Sequence, residues 1–447
     1  MVGLALASLG TVLSSSAMAS AAVETTGGIK LFNPSDESYW FSLGGRLNLD
    51  ETIFSGNRFS RQNNYPNGAN IRRAFLKFMG GVGDCWTYNL TLNFTGSEVK
   101  LEDAWANYSG FWEGSNFRVG QFTPLTTIDG WGSYGTNNDG MFLEPSLATV
   151  AFCGTSWYPG IRHTVPNKAL GLWVDTPICD IFTVGLTVYQ PQQNPTTVAA
   201  NVPSANNFQN PGRSDRLGAA ARVTFAPVHT EDTVYHLGLL GRYQSMNNTN
   251  NGVPVAQTNL FNTIPEGVAR NTSTLINTGN IRARSYNVVA VEALGLWGPV
   301  TIEGEFRHAN VQRLPITGPL INPALQSGNV RFEGWHVQGG YVITGESRDY
   351  RFETGTLRNP KPCGDYGAWE IAARYSEINL VDKSVYGGSE HNVALGLNWF
   401  INENVKIAAN YIRANIRATN PGNPGVQDAA PKKRHLSIYG LRFQVVF

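Results

Sequence analysis

Charged residues make up only 15% of this 447-residue chain, well under the roughly 25% usual for a soluble protein. Long apolar runs are missing too. Beyond the N-terminus no stretch reaches the roughly 18 uninterrupted apolar residues of a membrane-spanning helix. Four cysteines are too few for a disulfide-stapled miniprotein. A net charge of +1 with no basic block argues against nucleic acid as a partner. The chain has no C-x-x-C, H-E-x-x-H, G-x-S-x-G, Walker A or G-x-G-x-x-G motif, so neither a cofactor nor a metal is expected. What is present is 48 glycines with 11 Trp, 17 Tyr and 22 Phe, a composition that excludes disorder. The class that remains is a large β-rich protein: a soluble sandwich or propeller, or a transmembrane barrel.

Residues Val2 to Ala21 are small and apolar and end in Ala17-Met18-Ala19 and Ala19-Ser20-Ala21. Two A-x-A sites after such a run read as a secretory signal peptide over 1–21. No Lys or Arg precedes the apolar run, which points to a true start upstream of Met1. A short periplasmic segment is expected over 22–38, followed by the main domain over 39–447.

The hydrophobic period is two almost throughout. In the Trp86–Phe94 stretch Tyr88, Leu90, Leu92 and Phe94 alternate with Thr87, Asn89, Thr91 and Asn93. Trp369, Ile371, Ala373 and Tyr375 alternate with Glu370, Arg374 and Ser376, and Tyr439, Leu441, Phe443, Val445 and Phe447 with Arg442 and Gln444. Each strand thus has one face suited to lipid or a core and one suited to water. The pattern predicts about 16 strands, near 39–52, 70–79, 86–95, 99–108, 116–123, 168–175, 182–189, 217–225, 234–244, 284–295, 299–311, 332–345, 366–376, 391–400, 404–414 and 434–447.

Connections decide between barrel and sandwich. Short links (80–85, 109–115, 176–181, 226–233, 296–298, 401–403) alternate with long polar ones (53–69, 124–167, 190–216, 245–283, 312–331, 377–390, 415–433), the signature of an up-and-down outer-membrane barrel. Two links break the rule: 96–98 is short where a long loop is due, and 346–365 is long where a short turn is due. Trp40, Phe41, Trp86, Tyr108, Trp112, Trp297, Trp369, Trp399 and Phe447 all fall at the predicted periplasmic end, as an interfacial aromatic girdle requires.

Several segments carry a family resemblance. They include Gly45-Arg46-Leu47-Asn48-Leu49-Asp50, Arg72-Arg73-Ala74, Val99-Lys100-Leu101-Glu102-Asp103-Ala104, Arg118-Val119-Gly120-Gln121-Phe122 and Thr344-Gly345-Glu346-Ser347-Arg348-Asp349-Tyr350. Toward the end come Gly367 to Ser376, Leu395-Gly396-Leu397-Asn398-Trp399-Phe400 and the terminal Gly440 to Phe447. In this order the segments resemble the phosphate-selective porin O/P family of bacterial outer membranes. The resemblance implies an all-β, 16-stranded transmembrane antiparallel barrel, a homotrimer, with its third loop folded into the lumen. It also implies that Phe447 is the assembly signal read by the barrel-assembly machinery. Outer-membrane lipid of a Gram-negative bacterium and small hydrophilic solutes are the other expected partners. Where members of the family often carry a lysine after the Gly-Gln-Phe run, this chain has Thr123-Pro124-Leu125, a departure that weakens a phosphate assignment.

The strand phase sets the lumen charges. Inward basic residues are Arg46, Arg73, Lys77, Arg118, Arg222, Arg242, Arg307, Arg374, Lys406 and Arg442; inward acids are Asp50, Asp103, Glu292, Glu303, Glu305 and Glu370. The basic excess predicts a weakly anion-preferring pore. In the third loop Thr123, Asp129, Asp139, Glu144 and Arg162 are the constriction candidates. His308 and His336 are expected to face the lumen as wall residues, and Glu303 with Glu305 to line water or bind a cation. Cys85, Cys179 and Cys363 fall on the periplasmic side and Cys153 in the third loop. Disulfides are plausible in an oxidising compartment, with three connectivities open. The leading function is passive diffusion through a pore. Competing readings are a surface adhesin or antigen carried by loops 190–216 and 245–283, and a barrel-type enzyme.

Overall fold

The computed structural model describes residues 22–24, 28–33, 36–56, 65–95, 99–134, 140–153, 168–191, 217–246, 249–250, 253–254, 260–267, 274–279, 281, 283–314, 328–418 and 432–447. Sixteen long strands close on themselves: β1 (Asp36–Ser55), β2 (Gly68–Val82), β3 (Trp86–Asn93), β4 (Lys100–Tyr108), β5 (Asn116–Phe122), β6 (Ala169–Cys179), β7 (Phe182–Pro191) and β8 (Gly218–His229) make the first half. The second half is β9 (Thr233–Ser245), β10 (Ala283–Trp297), β11 (Val300–Arg313), β12 (Val330–Val342), β13 (Ala368–Asp382), β14 (Val385–Phe400), β15 (Val405–Ala418) and β16 (Lys432–Val446). Every neighbour pair is antiparallel, and β16 returns to β1 from Ser437↔Ser55 to Val446↔Arg46. At the seam the Gly45 amide donates to the Phe447 carbonyl at 2.7 Å and the Phe447 amide donates back to Gly45 at 3.1 Å. Closure satisfies both strand edges, which a lipid environment demands.

The alternation assigns each residue to a face. On β3, Asn89, Thr91 and Asn93 are buried while Tyr88 and Leu90 are exposed. On β14, Asn392 and Asn398 are buried while Val393, Leu395 and Leu397 are exposed. Exposed aliphatic and aromatic side chains therefore cover the outside, and polar ones line the inside. The aromatic belt forms at the short-turn end: Trp86 packs on Tyr108 at 4.9 Å, and Trp369 stacks on Trp399 at 5.0 Å. No helix among the described residues is long and apolar enough to cross a membrane; the crossing is made by strands.

Residues 22–38 contain two further strands, Ala22–Glu24 and Ile29–Asn33, before β1 begins at Asp36. Ile29–Asn33 pairs with the first half of β1, from Ile29↔Leu43 to Phe32↔Trp40, a stretch that β16 is too short to reach. The predicted signal segment 1–21 and the 96–98 link lie outside the described residues.

Three connections matter for the lumen. The 123–168 loop carries two short helices, α1 (Ile128–Tyr134) and α2 (Leu147–Cys153), and its described parts, 123–134 and 140–153, are folded inside the barrel. The link between β9 and β10 places Leu260, Phe261 and Ile276 in one apolar cluster with Leu147 and Phe152 of α2 and with Tyr286 and Phe332 of the wall. The odd long link on the short-turn side, 343–367, holds two short strands, Arg348–Arg351 and Thr356–Pro360, joined by a 3-10 turn at Phe352–Thr354. It too folds inward, which explains its length.

Candidate functional site

The inner surface is a wall of charged side chains with the third loop fastened to it. α1 begins after Thr126-Thr127, and its first amides point at carboxylates of the wall: Ile128 N donates to Glu292 on β10 at 2.8 Å, and Asp129 N to Glu305 on β11 at 2.9 Å. Thr127 Oγ1 also donates to Glu305 at 2.9 Å, and Arg307 pairs with Glu305. Carboxylates at a helix N-terminus satisfy amides that have no intrahelical partner. Ser146 starts α2 as a cap, its Oγ accepting from Thr149 N at 3.4 Å. Asp129 ties the helices together, its Oδ2 accepting from Ser146 N at 3.0 Å and Oγ at 2.9 Å, and from Thr149 Oγ1. α2 can sit against β12 because Gly334 lies there; a Cβ at that position would come within 2.9 Å of the Ala148 methyl.

The second anchor is Glu144. It receives two hydrogen bonds from Arg72 of β2, at 2.8 and 3.0 Å, and one from Arg442 of β16 at 2.9 Å. Arg442 is itself forked onto Asp50 of β1 at 2.7 and 2.6 Å. Burial opposes the charge on Glu144, but Arg72, Arg73 and Arg442 overcome it and hold the carboxyl far below the ordinary carboxylate range. Asp129 is also held below its usual value: burial pushes it up, and His336, Arg374 and the Thr149 hydroxyl more than offset that.

Backbone carbonyls of the loop complete the attachment. Arg242 donates to Leu125 O at 2.7 Å, Lys406 to Gly140 O at 3.2 Å, Asn398 to Met141 O at 2.8 Å, Arg442 to Leu143 O at 2.6 Å and Arg374 to Glu144 O at 3.1 Å. Arg374 further pairs with Glu266, from the link between β9 and β10, at 3.2 Å. With Arg307, which donates to Thr127, five of the basic residues read as pore lining therefore hold the loop.

The inward-folded link on the opposite side uses the wall in the same manner. Arg348 forks onto Glu370 with both distances 2.6 Å. Arg222 bonds Glu292 and donates to the carbonyls of Thr354 at 2.7 Å and Gly355 at 2.8 Å. Tyr350 meets His236 at 2.7 Å, and Phe352 stacks on His229 at 4.3 Å. Gly355 turns with φ +57 beside Thr224, a left-handed conformation that favours glycine.

With these segments in place the lumen beside β9–β15 is filled. Of the inward charges read from the sequence, Lys77, Asp103 and Arg118, on β2, β4 and β5, keep partial solvent access, as does Trp105 of β4. Arg118 lies between the rings of Trp105, at 4.1 Å, and Trp173, at 4.8 Å. Lys77 feels Asp103 and three arginines, Arg118, Arg351 and Arg358, the last two from the inward-folded link. Asp103 also binds Lys168 at 2.8 Å. Arg46 lies over the Phe75 ring at 5.0 Å, and Arg73 is buried.

Several expectations are corrected. Glu144 is bonded to the wall by Arg72 and Arg442, and Asp129 ties the two loop helices together through Ser146 and Thr149. His308 lies on the outward phase of β11, with Ile302 and Phe306 exposed beside it, whereas His336 is buried inward. Cys85, Cys179 and Cys363 carry free thiols, so no disulfide joins these three within the chain; the Cys153 side chain lies outside the described residues, as do Asp139 and Arg162. Thr123 sits half-buried at the start of the loop. Sequence reasoning missed Arg348, Arg351 and Arg358, whose only signal was a link too long for a turn, and Glu266, which sits in a polar loop without periodicity.

The family model for phosphate-selective porin O and P matches residues 41–447. Porin O of Pseudomonas aeruginosa is 25% identical over 423 residues, covering 88% of this chain and 86% of that protein. Among solved structures, an anion-selective porin from Comamonas acidovorans superposes with a TM-score of 0.51 at 12% identity, covering 91% of this chain and 99% of the other. OmpT of Vibrio cholerae superposes with a TM-score of 0.50 at 12% identity, covering 92% and 98%.

Proposed function

Because the chain belongs to the phosphate-selective porin O and P family, we propose that its narrowed lumen is a passive path for small anions. The protein is a water-filled channel in the outer membrane of a Gram-negative bacterium, with a lipid-facing outside and a polar inside. The observation that carries anion preference is the group around Lys77: Arg118, Arg351 and Arg358 act on it against one acid, Asp103, which is shared with Lys168. Cationic side chains in a low-dielectric constriction raise the local concentration of anions. Arginine presents a planar fork suited to oxyanions. Thr123 follows Gly120-Gln121-Phe122, so the reading stops at small anions as a class and does not single out phosphate.

Passive diffusion requires no nucleophile or general base, and we read the protein as a channel without catalysis. A homotrimer belongs to the same proposal, and native electrophoresis of the detergent-folded protein tests it. For selectivity the test is the reversal potential of single channels in a potassium chloride gradient. Anion preference of severalfold is expected, and it falls when Arg118 and Lys77 are replaced by glutamine. Cation preference in the wild type overturns the reading.

A further inference from the structure

We propose that Asp129, Glu303 and His336 form a binding site for one divalent transition-metal ion at the seam between the third loop and the barrel wall. The three residues come from three elements: Asp129 from α1, Glu303 from β11 and His336 from β12. Each offers one ligand atom, and these atoms lie within 4.8 Å of one another. Among the described residues they are the one such group of His, Cys, Asp or Glu. Metal–oxygen and metal–nitrogen bonds of about 2.0–2.2 Å place the ligand atoms of a tetrahedral shell about 3.3–3.6 Å apart, so a bound ion would draw the three groups inward from this outer limit.

Three observations distinguish this group from a chance meeting of charges. First, the imidazole of His336 is only 1% exposed and its Nδ1 has no hydrogen-bond partner. A buried nitrogen left unsatisfied is costly unless something occupies it. Second, the carboxylates are oriented by fixed donors. Asp129 Oδ2 is taken up by Ser146 and Thr149, and Glu303 Oε1 accepts from Gln338 Nε2 at 2.9 Å. Each acid then has its other oxygen for a ligand, and such outer contacts are what hold metal ligands in place. Third, the neighbouring acid Glu305 is already occupied by α1 and Arg307, which leaves Asp129 and Glu303 as the acids beside His336, whose Nε2 stands 3.4 Å from Glu303. One imidazole with two carboxylates suits Zn2+ and its neighbours in the first transition row better than Ca2+ or Mg2+.

A bound ion would fasten α1 to β11 and β12 and add positive charge to the lumen. The site stands apart from the anion-selectivity reading, which rests on β2, β4 and β5. The test uses untagged, detergent-folded protein, stripped with chelator and titrated with Zn2+ by calorimetry, with metal content measured after gel filtration. One zinc per chain is expected. His336→Ala should weaken binding at least tenfold, and His391→Ala, an outward-facing control, should leave it unchanged. Asp129→Asn sits in the loop rather than in a barrel strand, so it reports on the site even if His336→Ala fails to fold. Absence of stoichiometric zinc on the wild type overturns the proposal, as does Asp129→Asn binding as tightly as the wild type.

Discussion

Arg442 illustrates how much one side chain is asked to do in this lumen. It is 1% exposed and joins Asp50 on β1, Glu144 on the loop and the Leu143 carbonyl. Replacing it by alanine leaves two buried carboxylates short of a partner, which costs about 3–5 kcal/mol for a buried pair. Arg442→Ala is therefore expected to lower the unfolding midpoint in denaturant, and Arg242→Ala, which removes one hydrogen bond to a carbonyl, to do so less; tryptophan fluorescence in a urea series measures both. Glu144 sets a pH dependence. Its folded-state pKa is depressed, so its stabilisation is fully present above the ordinary glutamate value of 4.5 and is lost only as pH falls below that, through the folded value. Loop anchorage, read as steady single-channel current, should hold from pH 7 to near the ordinary value. Glu144→Gln should give noisy current even at pH 7.

At the scale of elements, two segments of opposite origin share the lumen. The third loop enters from the long-loop side with its α1 amides on Glu292 and Glu305. The 343–367 link enters from the short-turn side and presents Arg351 and Arg358 toward Lys77. Replacing residues 347–361 by a tight two-residue turn is expected to raise single-channel conductance by half or more and to reduce anion preference, both measured in a planar bilayer. Unchanged conductance would mean that the link does not limit the path. The third loop alone, shortened, should raise conductance without removing the arginines around Lys77.

For the whole molecule the seam between β1 and β16 decides whether there is a barrel. It is closed by the paired backbone of Gly45 and Phe447, with a Cβ at Gly45 lying only 2.7 Å from the Phe447 ring. Deleting Phe447 removes that last rung, and a several-fold drop in folded, heat-modifiable protein recovered from outer membranes is expected on unboiled gels. Normal recovery would remove any special role for the terminal residue.

The sixteen strands were legible because a strand in this environment has to alternate: lipid on one side and water on the other impose a period of two, as on β3 and β14. The aromatic end and the odd length of 346–365 were legible for the same reason, since they depart from or punctuate that period. The inward phase of Arg442 or Glu303 followed directly. Which partners those residues take did not, because Glu144 and Arg442 are almost three hundred residues apart in the chain and nothing local encodes their meeting. The sequence by itself therefore determined a barrel with a charged inside. Only the tertiary structure decided that most of the inward charge on β9–β16 is spent holding two inserted segments, while Lys77, Asp103 and Arg118 on β2, β4 and β5 keep partial solvent access. The physical reason is that alternation is a property of each strand in its two solvents, whereas ion pairs across a lumen exist only once closure has brought distant strands face to face.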